Sequence, residues 1–294
     1  MSSIFRFFLL GCFTINIYAF DGILPYETTQ LKSQSGAGVA SLLTNEATFF
    51  NPASIVFTNQ STFLYGRNSI ELEDKSDLRD RDYKEGLTES FILVDSSTSL
   101  KGGFNYIYQN QATGKKRSYN LSMAAPISKR SAAGFVISHN EEDSLLYRNK
   151  IYTQIDFGYT QVIKEGLTYG FVVDDITFVN SEYFKYTAGI FYSFNKFVDL
   201  IADVGSGDML NRDKKSFNKW ALQIQAHDGV FLRYGRFYDR SLGFKGSSYG
   251  VTWVGPKLVL DYAIKNSEKI SEDSDIVFKE EQFIENSLAL TVLF

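Results

Sequence analysis

Apolar and polar residues alternate with a period of two along most of this chain, from about residue 61 to the end. The pattern is clearest over 151–163. There Ile151, Thr153, Ile155, Phe157, Tyr159 and Ile163 share one face, and Gln154, Asp156, Gly158 and Thr160 share the other. A strand written this way sets one face against an apolar phase and the other against water. Residues 184–194 put Phe184, Tyr186, Ala188, Ile190, Tyr192 and Phe194 on a single stripe, aromatic at both ends and aliphatic at the centre. That order suits a strand crossing a bilayer between two aromatic girdles. The same pattern predicts fourteen strands, near 61–71, 87–95, 98–109, 117–127, 131–140, 150–163, 166–174, 183–194, 197–204, 217–226, 229–239, 242–254, 256–266 and 283–294.

The links between these strands alternate in length. Short ones with turn-type residues fall at Asp95-Ser96-Ser97, Ser128-Lys129-Arg130, Lys164-Glu165-Gly166, Asn195-Lys196, His227-Asp228-Gly229 and Gly255-Pro256. Long ones interleave at 72–86, 110–116, 141–149, 175–182, 205–216, 240–241 with its flanks, and 267–282. Loop length sorted by parity, with an even strand count, predicts an all-β fold, a transmembrane antiparallel β-barrel occupying 61–294. Such a barrel has short periplasmic turns, longer external loops and both termini on the periplasmic side. A soluble sandwich has no reason to sort its loops this way.

Both ends of the chain point to the same compartment. In the last strand Leu288, Leu290, Val292 and Phe294 share a face. Closing the barrel pairs this strand with the first and abolishes both edges. The ending resembles the C-terminal signal read by the bacterial outer-membrane barrel assembly machinery; a terminal core strand of a soluble sandwich is the plainer alternative. Residues 1–19 carry one cation, Arg6, then an apolar run, and end on Ala19, as a secretory signal peptide does. The mature chain then begins near Phe20. A rival reading takes Leu9-Leu10-Gly11-Cys12 as a lipoprotein box, although the apolar run before Cys12 is very short for that. Cleavage after Ala19 removes the only cysteine, leaving no disulfide and no thiol nucleophile.

Composition agrees with a barrel. Mean hydropathy is −0.16, and after the signal no stretch approaches the roughly 20 apolar residues of a spanning helix. Aromatic residues nevertheless make up 16% of the chain, as interfacial girdles require. Loss of Arg6 with the signal moves the formal charge from −4 to −5, and without a basic run this argues against nucleic acid as a partner. On the predicted register Glu89, Lys101, Asp156, Lys185, Asp199, Lys219, Arg233 and Asp261 face the lumen. The mixture of signs does not describe a charge-selective pore.

About fourteen strands enclose a space too wide to fill with wall residues alone. Residues 20–60 precede the first strand, lack sustained alternation, and contain a region, 37–50, with room for a short helix that Pro52 would break. The stretch GAGVASLLTNEATFFNPASIV, residues 36–56, resembles the N-terminal signature of the FadL family of outer-membrane transporters. The matching positions are Gly36, Ala37, Gly38, Asn45, Glu46, Ala47, Asn51, Pro52 and Ala53. The resemblance implies a barrel of fourteen strands, with residues 20–60 folded into the lumen as a hatch. It also implies carriage of hydrophobic compounds across the outer membrane. PorV-type proteins, which assist type IX secretion, share the signature, so it supports a fold more than a substrate. This chain departs from the pattern in a shorter Gly-rich start, in Ser54 where Gly is usual, and in its overall length. Pro52 and Asn51 would form a rigid corner where the hatch meets the wall, or an ordinary turn before a strand.

Candidate chemistry is sparse. His139, near the outer end of a strand, and His227, in a turn, should lie at opposite ends of the barrel, which excludes a shared metal site. Ser138 and His139 are strand neighbours on opposite faces and make a poor catalytic pair, so no enzyme is expected. Gly36-Ala37-Gly38 is not a dinucleotide fingerprint, and no cofactor is implied. The loop bearing Glu71, Glu73, Asp74, Asp77, Asp80, Asp82 and Glu85 also holds Lys75, Arg79, Arg81 and Lys84. It reads as a solvated mixed-charge loop before a divalent-cation site.

Two functions remain in view. The first is a channel for small hydrophobic molecules, gated by the hatch, with Leu42, Leu43, Phe49, Phe50 and Phe104 lining an apolar pocket. The second is a nonconducting, PorV-like interaction protein, with a general diffusion porin behind both. Expected partners are outer-membrane lipid and lipopolysaccharide, the barrel assembly machinery and a small hydrophobic ligand.

Overall fold

The computed structural model describes residues 23–73, 86–98, 100–111, 113–144, 148–179, 184–195, 197–207, 215–270 and 282–294. The expected signal peptide, the start of the mature chain at Phe20, and most of the charged loop 72–86 lie outside these residues.

Fourteen antiparallel strands close into a barrel, each hydrogen-bonded to its neighbours in sequence, with the last returning to the first. They are β1 Thr62–Glu73, β2 Gly86–Asp95, β3 Lys101–Gln111, β4 Gly114–Ser128, β5 Ser131–Ser144, β6 Lys150–Lys164 and β7 Leu167–Asp174. The second half comprises β8 Lys185–Ser193, β9 Val198–Gly207, β10 Lys215–His227, β11 Val230–Asp239, β12 Phe244–Val254, β13 Leu258–Lys269 and β14 Gln282–Leu293. The closing seam is in register from Thr62 opposite Leu293 to Glu73 opposite Gln282, and Phe294 N donates to Ser61 O at 3.1 Å. No strand edge is left open, which is the physical requirement for strands in hydrocarbon.

Period-two alternation becomes the two faces of the wall. On β6, Ile151 is 68% exposed while Asp156 is 5% exposed and Thr160 fully buried, so the apolar phase looks out and the polar phase in. Leu288, Leu290, Val292 and Phe294 all lie on the outer face of the seam. Lys101, Asp156, Lys185, Asp199, Lys219, Arg233 and Asp261 occupy inward positions. Glu89 does not. It faces outward and accepts from Tyr65 Oη at 3.2 Å. β2 is apolar on both faces, with Phe91 and Leu93 outside and Ile92 and Val94 inside, so its alternation alone does not say which phase meets the lumen.

Loop lengths depart from parity at the β3–β4 and β11–β12 links, the latter spanning only residues 240–243, no longer than the turn 194–197. The expected long link 110–116 contracts to residues 112 and 113, because β3 continues through Gln111 and β4 starts at Gly114. The polar residues there resemble a loop, but they belong to a rim that stands clear of the apolar band. Gly114, at φ +148°, makes the tight reversal: a Cβ there would sit 2.4 Å from Asp143 O.

Candidate functional site

Residues 23–61 run through the lumen, entering at the loop end and leaving at the turn end. Leu24 sits beside the upper part of β3, where its N–H donates to Gln111 Oε1 at 2.9 Å and its carbonyl accepts from Gln109 Nε2 at 2.9 Å. A single helix, α1 Thr29–Ser33, follows; Thr28 caps it by accepting from Leu31 N at 3.2 Å. The short helix expected within 37–50 is a single 3-10 turn, Asn45–Thr48. Pro52 opens a second 3-10 helix, Pro52–Phe57, instead of ending one. A missing N–H and a fixed φ suit the first turn of a helix as well as they break its interior.

The segment approaches the wall closely because the wall is thin where they meet. Inward positions on seven of the strands are glycine: Gly103, Gly134, Gly158, Gly170, Gly189, Gly235 and Gly250. A Cβ at Gly103 would meet Thr48, at Gly158 Asn51 and Pro52, at Gly170 the Val39 carbonyl, at Gly235 Gln34 and Ser35, and at Gly250 Ser33, all at 2.2–2.9 Å. Sequence reasoning missed this belt. Its signal was available, since each of these glycines falls on the inward phase of its own strand.

Polar side chains fix the segment at this contact. Asp203 of β9 accepts from Gly38 N at 2.7 Å and Val39 N at 3.1 Å. Asn51 donates to Val39 O at 2.6 Å and to Thr160 Oγ1 at 3.0 Å, and accepts from Ala53 N at 3.2 Å as the cap of the second 3-10 helix. It therefore joins two stretches of the segment, at Val39 and at Ala53, to the wall. Asn45 accepts from Thr62 Oγ1 at 2.7 Å and donates to Thr291 Oγ1 at 3.3 Å, spanning the β1–β14 seam. Lys101 reaches the Val56 carbonyl at 3.2 Å and also the Thr58 carbonyl. Ala47 and Ile55 pack with Leu64, Ile92, Val94, Ala124 and Ala289 in an apolar cluster. Full burial of Ile55 alone contributes about 2 kcal/mol.

Nearer the loop end the contacts are ionic. Glu27 meets Lys265 at 2.6 Å and Lys219 at 3.9 Å, and Lys32 pairs with Glu285. Burial by itself raises the Glu27 carboxyl, but Lys265, Lys219 and Lys32 outweigh it and hold the pKa at about 2. Gly36 lies against this network: its φ is +76°, and a Cβ would fall 2.3 Å from Glu27 Oε1. Glu46 is the opposite case. Burial pushes it up to about 7, opposed by the Thr28 hydroxyl, which donates to one of its oxygens.

Of the expected pocket residues, Leu42 and Leu43 line a cavity of about 300 Å³ at the turn end of the lumen, beneath the segment. Phe231, Val254, Val259 and Leu293 supply its apolar wall, but most of the lining is polar: Gln30, Thr44, Asn45, Gln60, Thr62 and Thr291, beside the cluster of Gln223, Arg233, Thr252 and Asp261. The members of that cluster satisfy one another: Arg233 Nε donates to Gln223 Oε1 at 2.7 Å, Arg233 lies 3.7 Å from Asp261, and Thr252 bonds both. Phe49 is elsewhere, packed on Tyr26 at 5.1 Å and on the apolar cluster. Phe50 is half-buried and does not line the cavity. Phe104 corrects the expectation outright. It is 46% exposed on the outer surface, because β3 presents its odd-numbered residues inward. Ser138 is buried and His139 exposed, bonded to Thr153 at 3.0 Å, so the two point apart.

No family model and no curated protein matches this chain. Solved structures do. The CymD monoaromatic hydrocarbon channel superimposes with a TM-score of 0.69 at 12% identity, over 90% of this chain and 96% of that one. The Ralstonia pickettii toluene transporter TbuX gives 0.69 at 11%, over 91% and 98%. A Pseudomonas aeruginosa FadL homologue gives 0.63 at 10%, over 92% and 99%. The chain has the fold of FadL-type outer-membrane barrels.

Proposed function

We propose that this barrel sits in the outer membrane with its loop end outside and its turn end, where the last strand finishes, on the periplasmic side. There it passes small hydrophobic molecules through the lumen, with residues 20–60 as the hatch. The observation that carries this reading is the turn-end cavity. Leu42 and Leu43 of the hatch face Phe231, Val254, Val259 and Leu293 of the wall, beside a polar group whose charges are already paired. A cavity of about 300 Å³ lies at the lower end of the range for ligand sites, so it suits a compact molecule better than a long chain, with the leucines, Phe231 and the two valines as its apolar face. The hatch contributes the two leucines, so a ligand entering the cavity acts directly on the element that closes the lumen. No covalent step is involved. Two of the similar structures are a monoaromatic hydrocarbon channel and a toluene transporter, which supports a small hydrophobic substrate.

A second reading, a nonconducting interaction protein, draws on the buried pairs of Glu27 with Lys265 and of Lys32 with Glu285. Breaking such pairs strands buried charges and opposes hatch movement. Uptake of radiolabelled toluene by cells carrying the intact chain or a chain lacking 36–53 separates the two. Transport requires saturable uptake that changes with the deletion. Equal rates, no single-channel current and a stoichiometric protein partner in gently solubilised membranes would establish the second reading.

A further inference from the structure

We infer that the outer face of β10–β13, at the loop end, is a binding groove for the phosphorylated headgroup of an outer-leaflet glycolipid. The inference rests on the outer-membrane placement proposed above but not on transport. A groove of about 470 Å³ lies there, lined largely by side chains that point away from the lumen. The register arranges them in two rows. Trp220, Arg236 and Ser247 stand opposite one another on β10, β11 and β12, and Tyr238, Lys245 and Glu268 do so one step nearer the loops.

Three observations point to a phosphorylated sugar. Arg236 is exposed and makes no ion pair among the described residues, while Lys245 lies 4.0 Å from Glu268. The groove thus offers one uncompensated guanidinium, the side chain best matched to phosphate oxygens. Trp220 and Tyr238 flank it with aromatic faces, and Arg240 stacks on Tyr238 at 5.7 Å. Rings that combine an apolar body with a polar tip belong at the level of lipid headgroups.

The third observation is the shortness of the apolar wall below. On β4 the outward apolar residues run from Tyr119 to Ile127, about 26 Å along the strand, whereas on β12 they run only from Tyr249 to Trp253, about 13 Å. Acyl chains cannot cover the polar rows without stranding Arg236 in hydrocarbon. The headgroup layer must therefore dip to meet them.

The test uses the full-length barrel in detergent with Trp253→Phe, so that Trp220, the remaining tryptophan, reports on the groove. Bisphosphorylated lipid A is titrated, with its dephosphorylated form, phosphatidylglycerol vesicles and inorganic phosphate as separate arms. The expected result is a saturable change in Trp220 emission with bisphosphorylated lipid A only. Arg236→Ala should weaken it at least tenfold, Lys129→Ala at the opposite rim should leave it unchanged, and Glu268→Gln should strengthen it by removing the one carboxylate that lines the groove among the described residues. Heat-modified migration on gels confirms that each variant is folded. Equal binding of the dephosphorylated form, phosphatidylglycerol or free phosphate overturns the assignment, as does an Arg236→Ala barrel that binds like the parent. Failure here leaves the toluene uptake result standing, and failure of uptake leaves this binding intact.

Discussion

Replacing Gly170 with alanine should unseat the lumenal segment while leaving the barrel closed. A Cβ on Gly170 would lie 2.2 Å from the Val39 carbonyl oxygen and 2.8 Å from Ala40 N; its three nearest atoms are all backbone of the segment. Ordinary contact begins at 3.4 Å, so the segment must retreat by 3.4 − 2.2 = 1.2 Å at Val39. That retreat acts on the two bonds from Gly38 N and Val39 N to Asp203. Each is a hydrogen bond to a carboxylate worth about 1.5–3 kcal/mol, and lengthening both by about 1 Å forfeits most of it. A loss of about 2–4 kcal/mol shifts the seated-to-unseated ratio by a factor of about 30 to 1,000. Limited proteolysis of residues 23–61 in the purified barrel measures that ratio, and single-channel recording reads its consequence for the lumen. Gly207→Ala is the control, because its Cβ would meet only the Ser241 side chain, at 3.3 Å. If Gly170→Ala is cleaved and conducts no more than Gly207→Ala, the claim that interior glycines seat the segment is wrong.

Two further outcomes are expected. Glu46 keeps its proton to about pH 7 in the folded barrel but only to about 4.5 when unfolded, so its folded pKa is raised and seating weakens as pH climbs from 4.5 through 7. The change amounts to about 3 kcal/mol at most. Glu27, held at about 2, works the other way: its stabilisation is present above pH 4.5 and lost as pH falls toward 2. Protease protection measured from pH 3 to 8 should therefore peak near pH 4.5–5, and Glu46→Gln should flatten only the upper limb. An unchanged upper limb in that variant refutes the assignment. Asn51→Ala removes a cap and two donors and leaves the buried Val39 carbonyl short of a partner, at a cost of about 2–4 kcal/mol. Hydrogen exchange over 37–57 should accelerate accordingly, with Asn51→Asp intermediate because it keeps the cap and loses the donors.

The fourteen strands, the closing partner of β14 and nearly every inward charge could be read from the chain alone. A wall between lipid and water forces each strand to declare its two faces, and Ile151 against Asp156 or Leu288 against Ser287 does so within a few residues. Where both faces are apolar, as at Ile92 and Phe91, the declaration fails, and the pattern puts Glu89 on the wrong side for that reason. Phe104 was displaced by a similar limit: an aromatic residue suits lipid as well as a pocket, and only the strand's phase decides. The lumen was less legible still. Gly36, Asn51 and Pro52 were identifiable as special positions, but what each touches depends on strands more than a hundred residues away, as with Asn51 and Thr160 or Gly38 and Asp203. Periodicity is a local property and is written into the order of residues. The meeting of the segment with its belt of glycines is set by closure of the barrel, which brings fourteen separate strands to one axis and exists only in three dimensions.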